Sequence, residues 1–112
     1  MLKPGVDIQG LQPQMVLAFA IIQPIYHRMG YECVITAACD GKHLTNSLHY
    51  KGLALDFRIK HVISIDKPRL IKDIKDALGQ DFDVLLEDAG TPNEHAHVEH
   101  DPKPRTINPE ER

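Results

Sequence analysis

The sequence predicts an α+β domain: a small, mainly antiparallel sheet covered by helices. Three observations carry this. An apolar segment running from Pro13 is closed by Gly30. Residues Leu53 to Ile59 alternate with the period of a strand. An apolar stripe at helical spacing follows Asp66-Lys67-Pro68. In chain order the elements read helix, strand, loop, strand, helix, strand, strand, without the regular alternation of a parallel α/β fold. At 112 residues the chain is expected to form one domain over residues 1–112, with an irregular tail from about residue 101.

Residues 1–12 read as an irregular lead-in. A helix starts at Pro13, where proline suits the first turn. Its apolar residues (Met15, Val16, Leu17, Phe19, Ile21, Ile22, Ile25) surround it almost completely, so it is expected to be well buried. Pro24 is expected to kink or split it. Tyr31 to Thr36, with β-branched Val34, Ile35 and Thr36, reads as a strand. Ala37 to Leu48 reads as a polar loop around Asp40-Gly41. Leu53, Leu55, Phe57 and Ile59 then share one strand face, and Ala54, Asp56 and Arg58 the other. The second helix carries Leu70, Ile71, Ile74 and Leu78 and ends at Gly79. Asp83 to Glu87 is a short strand, Ala89 to Asn93 a Gly/Pro turn, and His95 to His100 a final strand.

Composition narrows the function. Hydrophobic residues make up 42% of the chain and charged residues 26%, which suits a soluble globular protein. A net charge of −3 supplies no basic field for nucleic acid or an anionic membrane. The apolar run Met15 to Ile22 is too short to span a bilayer, so no membrane insertion is expected. Residues 1–7 contain no apolar signal core, so the protein is expected to be made in the cytoplasm without a signal peptide. Cys33 and Cys39 read as reduced, structural thiols. There is no G-x-S-x-G, no phosphate-binding glycine loop and no H-E-x-x-H.

Histidine is the informative residue: the chain has seven, and His43, His49, His95, His97 and His100 fall in two segments. His49 and Asp56 are seven apart, with Gly52 between them to let the chain turn sharply into the strand. Taken alone, that spacing is a weak signal, and a surface histidine with a solvated acid is its default reading. His95 and His97 share a strand face, so both imidazoles point the same way. Either can be a metal ligand, with the other a proton donor or oxyanion partner. Two His, one Asp and an open position for the reacting water are the makings of a catalytic zinc site. Glu94, at the turn before the strand, is a candidate general base, with Glu87 and Asp88 as competitors. Glu99 reads as a solvated acid, with an orienting role as the other option. Lys42 and His43 are candidates for binding a substrate carboxylate or oxyanion, set against a solvated loop, and Arg58 on the Asp56 face can bind substrate or pair with an acid. His61 and His100 read as surface residues.

The pattern Ser47-x-His49-x-x-Gly52-x-Ala54-x-Asp56, with Glu94-x-x-His97 inside a final H-x-H-V-E strand, resembles the zinc D-Ala-D-Ala carboxypeptidase and L-Ala-D-Glu endopeptidase family. That family includes bacterial cell-wall carboxypeptidases and many phage endolysins, and its fold is shared with the hedgehog signalling domain. Asp40-Gly41-Lys42-His43 leading into Ser47-Leu48-His49-Tyr50 is most similar to small phage members, and the resemblance covers roughly Thr36 to Pro102. It implies a small α+β fold on an antiparallel sheet. It implies Zn2+ held by His49, Asp56 and His97, Glu94 as catalytic acid/base, and His95 as stabiliser of the transition state. Ser47 matches a motif serine with a structural or supporting role beside the substrate site. The arginine that many members carry before the motif is missing from Thr36-Ala37-Ala38-Cys39, so Lys42 or Arg58 would have to bind the substrate carboxylate.

The resemblance therefore implies a monomeric zinc peptidase that hydrolyses peptidoglycan stem peptides, acting on the cell wall after release by another system. Two other readings compete with it: a non-catalytic, zinc-containing binding module of the same fold, and a virion structural protein whose histidines are incidental.

Overall fold

A computed structural model of the chain describes residues 1–39, 48–49 and 51–104. Two helices, α1 (Pro13–Arg28) and α2 (Lys67–Leu78), accompany four strands, β1 (Ile35–Ala37), β2 (Ala54–Arg58), β3 (Phe82–Glu87) and β4 (His95–His100). The strands form one sheet in the order β1-β2-β4-β3, and each neighbouring pair is antiparallel. The α+β class expected from the sequence is therefore present.

Strand alternation sorts the sheet into two faces. Leu55, Phe57, Val84, Ala96 and Val98 point into a core shared with Met15, Ala18 and Ile22 of α1 and Leu70 and Ile74 of α2. Fully burying side chains of this size contributes roughly 1.5–3 kcal/mol each. Phe19 of α1 stacks against Phe57, with ring centroids 6.4 Å apart. Tyr26 seals the end of this layer by donating its hydroxyl hydrogen to the Arg58 carbonyl at 3.0 Å. The opposite face of β2 and β4 is left for polar chemistry.

Three sequence expectations change. First, α1 is not buried all round. Its buried positions Met15, Ala18, Ile22, Ile25 and Tyr26 follow helical spacing, whereas Val16 and Leu17 are 53% and 61% exposed. A two-layer fold gives a helix only one face to bury, however apolar its other faces are. Pro24, expected to kink or split the helix, leaves α1 continuous to Arg28. Second, the first strand is only Ile35–Ala37, because Tyr31 to Val34 lie outside regular pairing. Third, the lead-in is not wholly irregular. Leu2 bridges Ile35 in parallel, with Ile35 N–H bonded to Met1 O at 2.9 Å and Lys3 N–H to Ile35 O at 2.9 Å. The remaining elements match within a residue or two, and residues 101–104 lack regular structure as expected.

Candidate metal centre

His49 reaches the polar face through a tight turn. Gly52 N–H bonds His49 O at 3.1 Å and Leu53 N–H bonds Leu48 O at 2.9 Å, which folds His49 back over β2. Gly52 has φ +71°, and a Cβ there would lie 2.1 Å from the Gly10 carbonyl oxygen. Glycine is thus required both for its backbone conformation and for the close approach of the lead-in. Across the sheet, Asp56 is the register partner of His97, so their side chains stand side by side on one face. A register shift in β1 between Ile35 and Ala37 marks a bulge, and Ala38 follows it directly.

The three residues converge. Asp56 Oδ1 lies 3.1 Å from His49 Nε2 and 2.8 Å from His97 Nδ1, and the two ring nitrogens are 3.3 Å apart. Each imidazole is anchored on its far side. His49 Nδ1 is 2.7 Å from the Ala38 carbonyl oxygen, and His97 Nε2 is 2.7 Å from Glu99 Oε1. Those oxygens can only accept, so the outer nitrogens carry the protons. The inner nitrogens are thereby set up to present lone pairs towards the same point as a carboxylate oxygen, and such anchoring of the far nitrogen is how proteins orient metal-binding histidines. Ligand atoms on a tetrahedral Zn2+ stand about 3.3 Å apart. The observed spacing meets that after shifts of a few tenths of an ångström, and the set fits one divalent ion. His49 is 2% exposed and Asp56 is buried, so the group is dry on the protein side.

A second group adjoins the first. His95 Nε2 is 2.9 Å from Glu87 Oε1 and 3.6 Å from Asp56 Oδ2, while its Nδ1 donates to the Asn93 carbonyl at 2.7 Å. Glu87 Oε1 is also 3.9 Å from His97 Nδ1. Asp56, Glu87 and His95 thus form a further set of ligand-type atoms within 4.8 Å of one another. A third set, Asp83, Glu99 and Asp101, holds the Lys103 ammonium, 2.8 Å from Asp83 and 3.2 Å from Asp101.

Electrostatics follow from this crowding. Burial acts to raise the Asp56 pKa, but hydrogen bonds from His49 and His97 outweigh it and hold the carboxyl well below the usual range. Burial acts to lower that of His97, but hydrogen bonds to Asp56 and Glu99, with the charges of Asp56 and Glu87, push it up to about 9. Metal-free, His97 therefore carries a proton on the nitrogen that would face an ion.

The sequence candidates are distributed unevenly. His49, Asp56, His97 and His95 come together. Arg58 is the register partner of His95, and its Nε is buried without a hydrogen-bond partner among the described residues. Glu94 is engaged elsewhere: its carboxylate takes a hydrogen bond from Gly90 N–H at 2.9 Å and pairs with the Lys67 ammonium of α2. These bonds hold it ionised, and it belongs to neither His-containing group. Lys42, His43 and Ser47 lie outside the described residues. Glu99 is not merely solvated; it orients His97. Glu87 joins the cluster through register, opposite His95. Lys67 carried no signal in the sequence. His61 stacks on Tyr26, with its Nε2 2.7 Å from the Glu32 carbonyl, and His100 packs on Phe82, so neither is a simple surface residue. Cys33 and Cys39 are not joined in a disulfide. No family model matches the chain, and no curated protein or solved structure matches it significantly.

Proposed function

We propose that this chain is a zinc-dependent peptidase that hydrolyses peptidoglycan stem peptides, as an endolysin or as a cell-wall carboxypeptidase. The observation that carries the metal part is the pair of anchored imidazoles, His49 on Ala38 O and His97 on Glu99, turned with Asp56 towards one point. The peptidase part rests on the sequence resemblance. Bound by His49, Asp56 and His97, zinc would supply Lewis-acid activation of a water and of the scissile carbonyl.

The chain's own residues divide the remaining work. Arg58, whose buried Nε–H has no partner among the described residues, would supply a guanidinium for a substrate carboxylate. His95, its Nδ1–H fixed on Asn93 O at the start of β4, turns Nε2 towards the cluster and is a hydrogen-bond donor for the developing oxyanion in the protonated form that holds no cation. The proton of the attacking water goes to a carboxylate that is ionised at neutral pH. The motif gives that role to Glu94. Its ionised state suits a base, and it must exchange the Lys67 contact for the water.

A second reading, a metal-holding binding module without catalysis, is favoured by one observation: Glu94 is tied to Lys67 and Gly90, away from the convergent ligand atoms. Digestion of purified peptidoglycan, with and without chelator, separates the two. New L-Ala carboxyl and D-Glu amino termini identify an endopeptidase, and free D-Ala identifies a carboxypeptidase. Metal binding with no new termini supports the module. Chelator-insensitive lysis, or cleavage of glycan strands alone, overturns the peptidase reading.

A further inference from the structure

We propose that His95, Glu87 and the second carboxylate oxygen of Asp56 form a weaker divalent-cation site beside the His49–Asp56–His97 site, with Asp56 bridging the two. This deepens the metal-dependent reading above and rests on it only in that the first site takes a metal.

Asp56 Oδ1 faces His49 and His97, while its Oδ2 is 3.6 Å from His95 Nε2. The two oxygens of one carboxylate therefore serve two different groups of donors. Bridging carboxylates hold paired ions roughly 3.5–4 Å apart in two-metal hydrolytic sites.

The anchoring seen in the first site recurs in the second. His95 Nδ1 is 2.7 Å from the Asn93 carbonyl oxygen, which can only accept, so the proton sits on Nδ1 and Nε2 faces inward. What it faces is Glu87 Oε1 at 2.9 Å and Asp56 Oδ2. Neither acid has a described lysine or arginine within ion-pairing distance. The neighbouring acidic set at Asp83, Glu99 and Asp101 contrasts with this, because Lys103 fills it. Among the described residues no lysine or arginine supplies the cation at His95, which leaves an ion from outside or a proton on Nε2. One imidazole and two carboxylates suit Zn2+ and Mn2+. Glu87 is 43% exposed, so this second site opens to solvent and should exchange its ion more readily than the buried first one.

Occupation of this site would also settle the competition between the two acids. A Glu87 committed to a cation leaves the base role to Glu94.

The test is titration of the metal-free full chain with Co2+, followed by calorimetry, native mass spectrometry and the electron paramagnetic resonance of the loaded protein. Two ions per chain are expected, the second bound more weakly. At two equivalents the bridge should couple the two spins magnetically. His95→Gln and Glu87→Gln should each weaken the second ion about tenfold or more while leaving the first. His49→Ala should instead remove the first. One ion per chain, lost only in His49→Ala, would overturn this inference and leave the metal-dependent reading intact, with a proton occupying His95 Nε2. A second ion insensitive to His95→Gln and Glu87→Gln would overturn it as well. No ion at all would sink both. Circular dichroism of each variant distinguishes a lost ligand from a lost fold, and the exposure of Glu87 makes Glu87→Gln the safer substitution.

Discussion

Glu99 sits two residues after His97 on β4, and its Oε1 accepts a hydrogen bond from His97 Nε2–H at 2.7 Å. A strand places alternate residues on one face, so a single strand supplies both the ligand and its orienting acid. Glu99→Gln should keep the fold and lower metal affinity by about 10–100-fold, as for other groups that orient a ligating histidine. Competition against a chelating dye measures it. Unchanged affinity would mean that His97 is aimed by packing alone.

Gly52→Ala is expected to be disproportionately damaging for a surface turn. The new Cβ meets the Gly10 carbonyl at 2.1 Å, and the backbone is left-handed. Strain of this kind costs on the order of 1–3 kcal/mol. The lead-in also accepts the consequence directly, because Gln12 N–H bonds Gly52 O at 2.9 Å. Urea denaturation should show the loss, and the displaced His49 should lower metal occupancy in parallel. A variant as stable as the parent would remove the turn from the account of the site.

The dependence on pH has a definite sign. His97 is raised to about 9 in the folded, metal-free protein, against roughly 6.5 unfolded. Its contribution to stability is full below about 6.5 and is lost as pH rises towards 9. Asp56 is lowered, so its contribution is present above about 3.9 and is lost as pH falls. The metal-free cluster therefore stabilises most between roughly pH 4 and 6.5. Metal must displace the His97 proton, so affinity should rise with pH up to about 9. The metal-induced increase in Tm should be larger near pH 8 than near pH 6, and calorimetry in buffers of different ionisation enthalpy should detect proton release. No proton release at pH 7 would contradict the raised His97.

The strand period made much of the site legible. Alternation alone assigned Asp56 to the polar face of β2 and paired His95 with His97 on one face of β4. Register was beyond such reasoning, because nothing local says that Asp56 stands opposite His97 or Glu87 opposite His95. Glu99 reads as solvated from the sequence because its role depends on the rotamer of His97. The exposure of Val16 and Leu17 was hidden because a helix's composition does not say how many of its faces have neighbours. Lys67 was invisible because its contact with Glu94 spans 27 positions and joins α2 to a turn.

Arg58→Ala tests substrate recognition. Its buried Nε–H has no acceptor among the described residues, an arrangement that costs free energy unless a ligand supplies one. If a substrate carboxylate is that acceptor, KM should rise about tenfold or more with kcat little changed, since a charge-assisted hydrogen bond contributes ~1.5–3 kcal/mol. Lys should restore only part of this, because its ammonium lacks the guanidinium fork. A kcat effect without a KM effect would place Arg58 on the reacting atoms instead.

Glu94 carries the sharpest prediction, because its two proposed roles show in two different readouts of a single substitution. The carboxylate bonds Gly90 N–H and pairs with Lys67, so it braces the 88–94 turn against α2. Glu94→Gln keeps the shape but removes the charge opposite a lysine side chain that is only 19% exposed. A stability loss of about 1–3 kcal/mol is expected from that alone, as for removing one partner of a partly buried pair. As a general base, the same change should lower kcat by about 10²-fold or more while leaving the metal bound. Lys67→Met separates the two effects. It breaks the brace and frees the carboxylate, so stability should fall while kcat holds or rises. Loss of stability in both variants with kcat unchanged in Glu94→Gln would make Glu94 a strut only. Glu87, half-exposed beside His95, or Asp88 would then be left to take the proton.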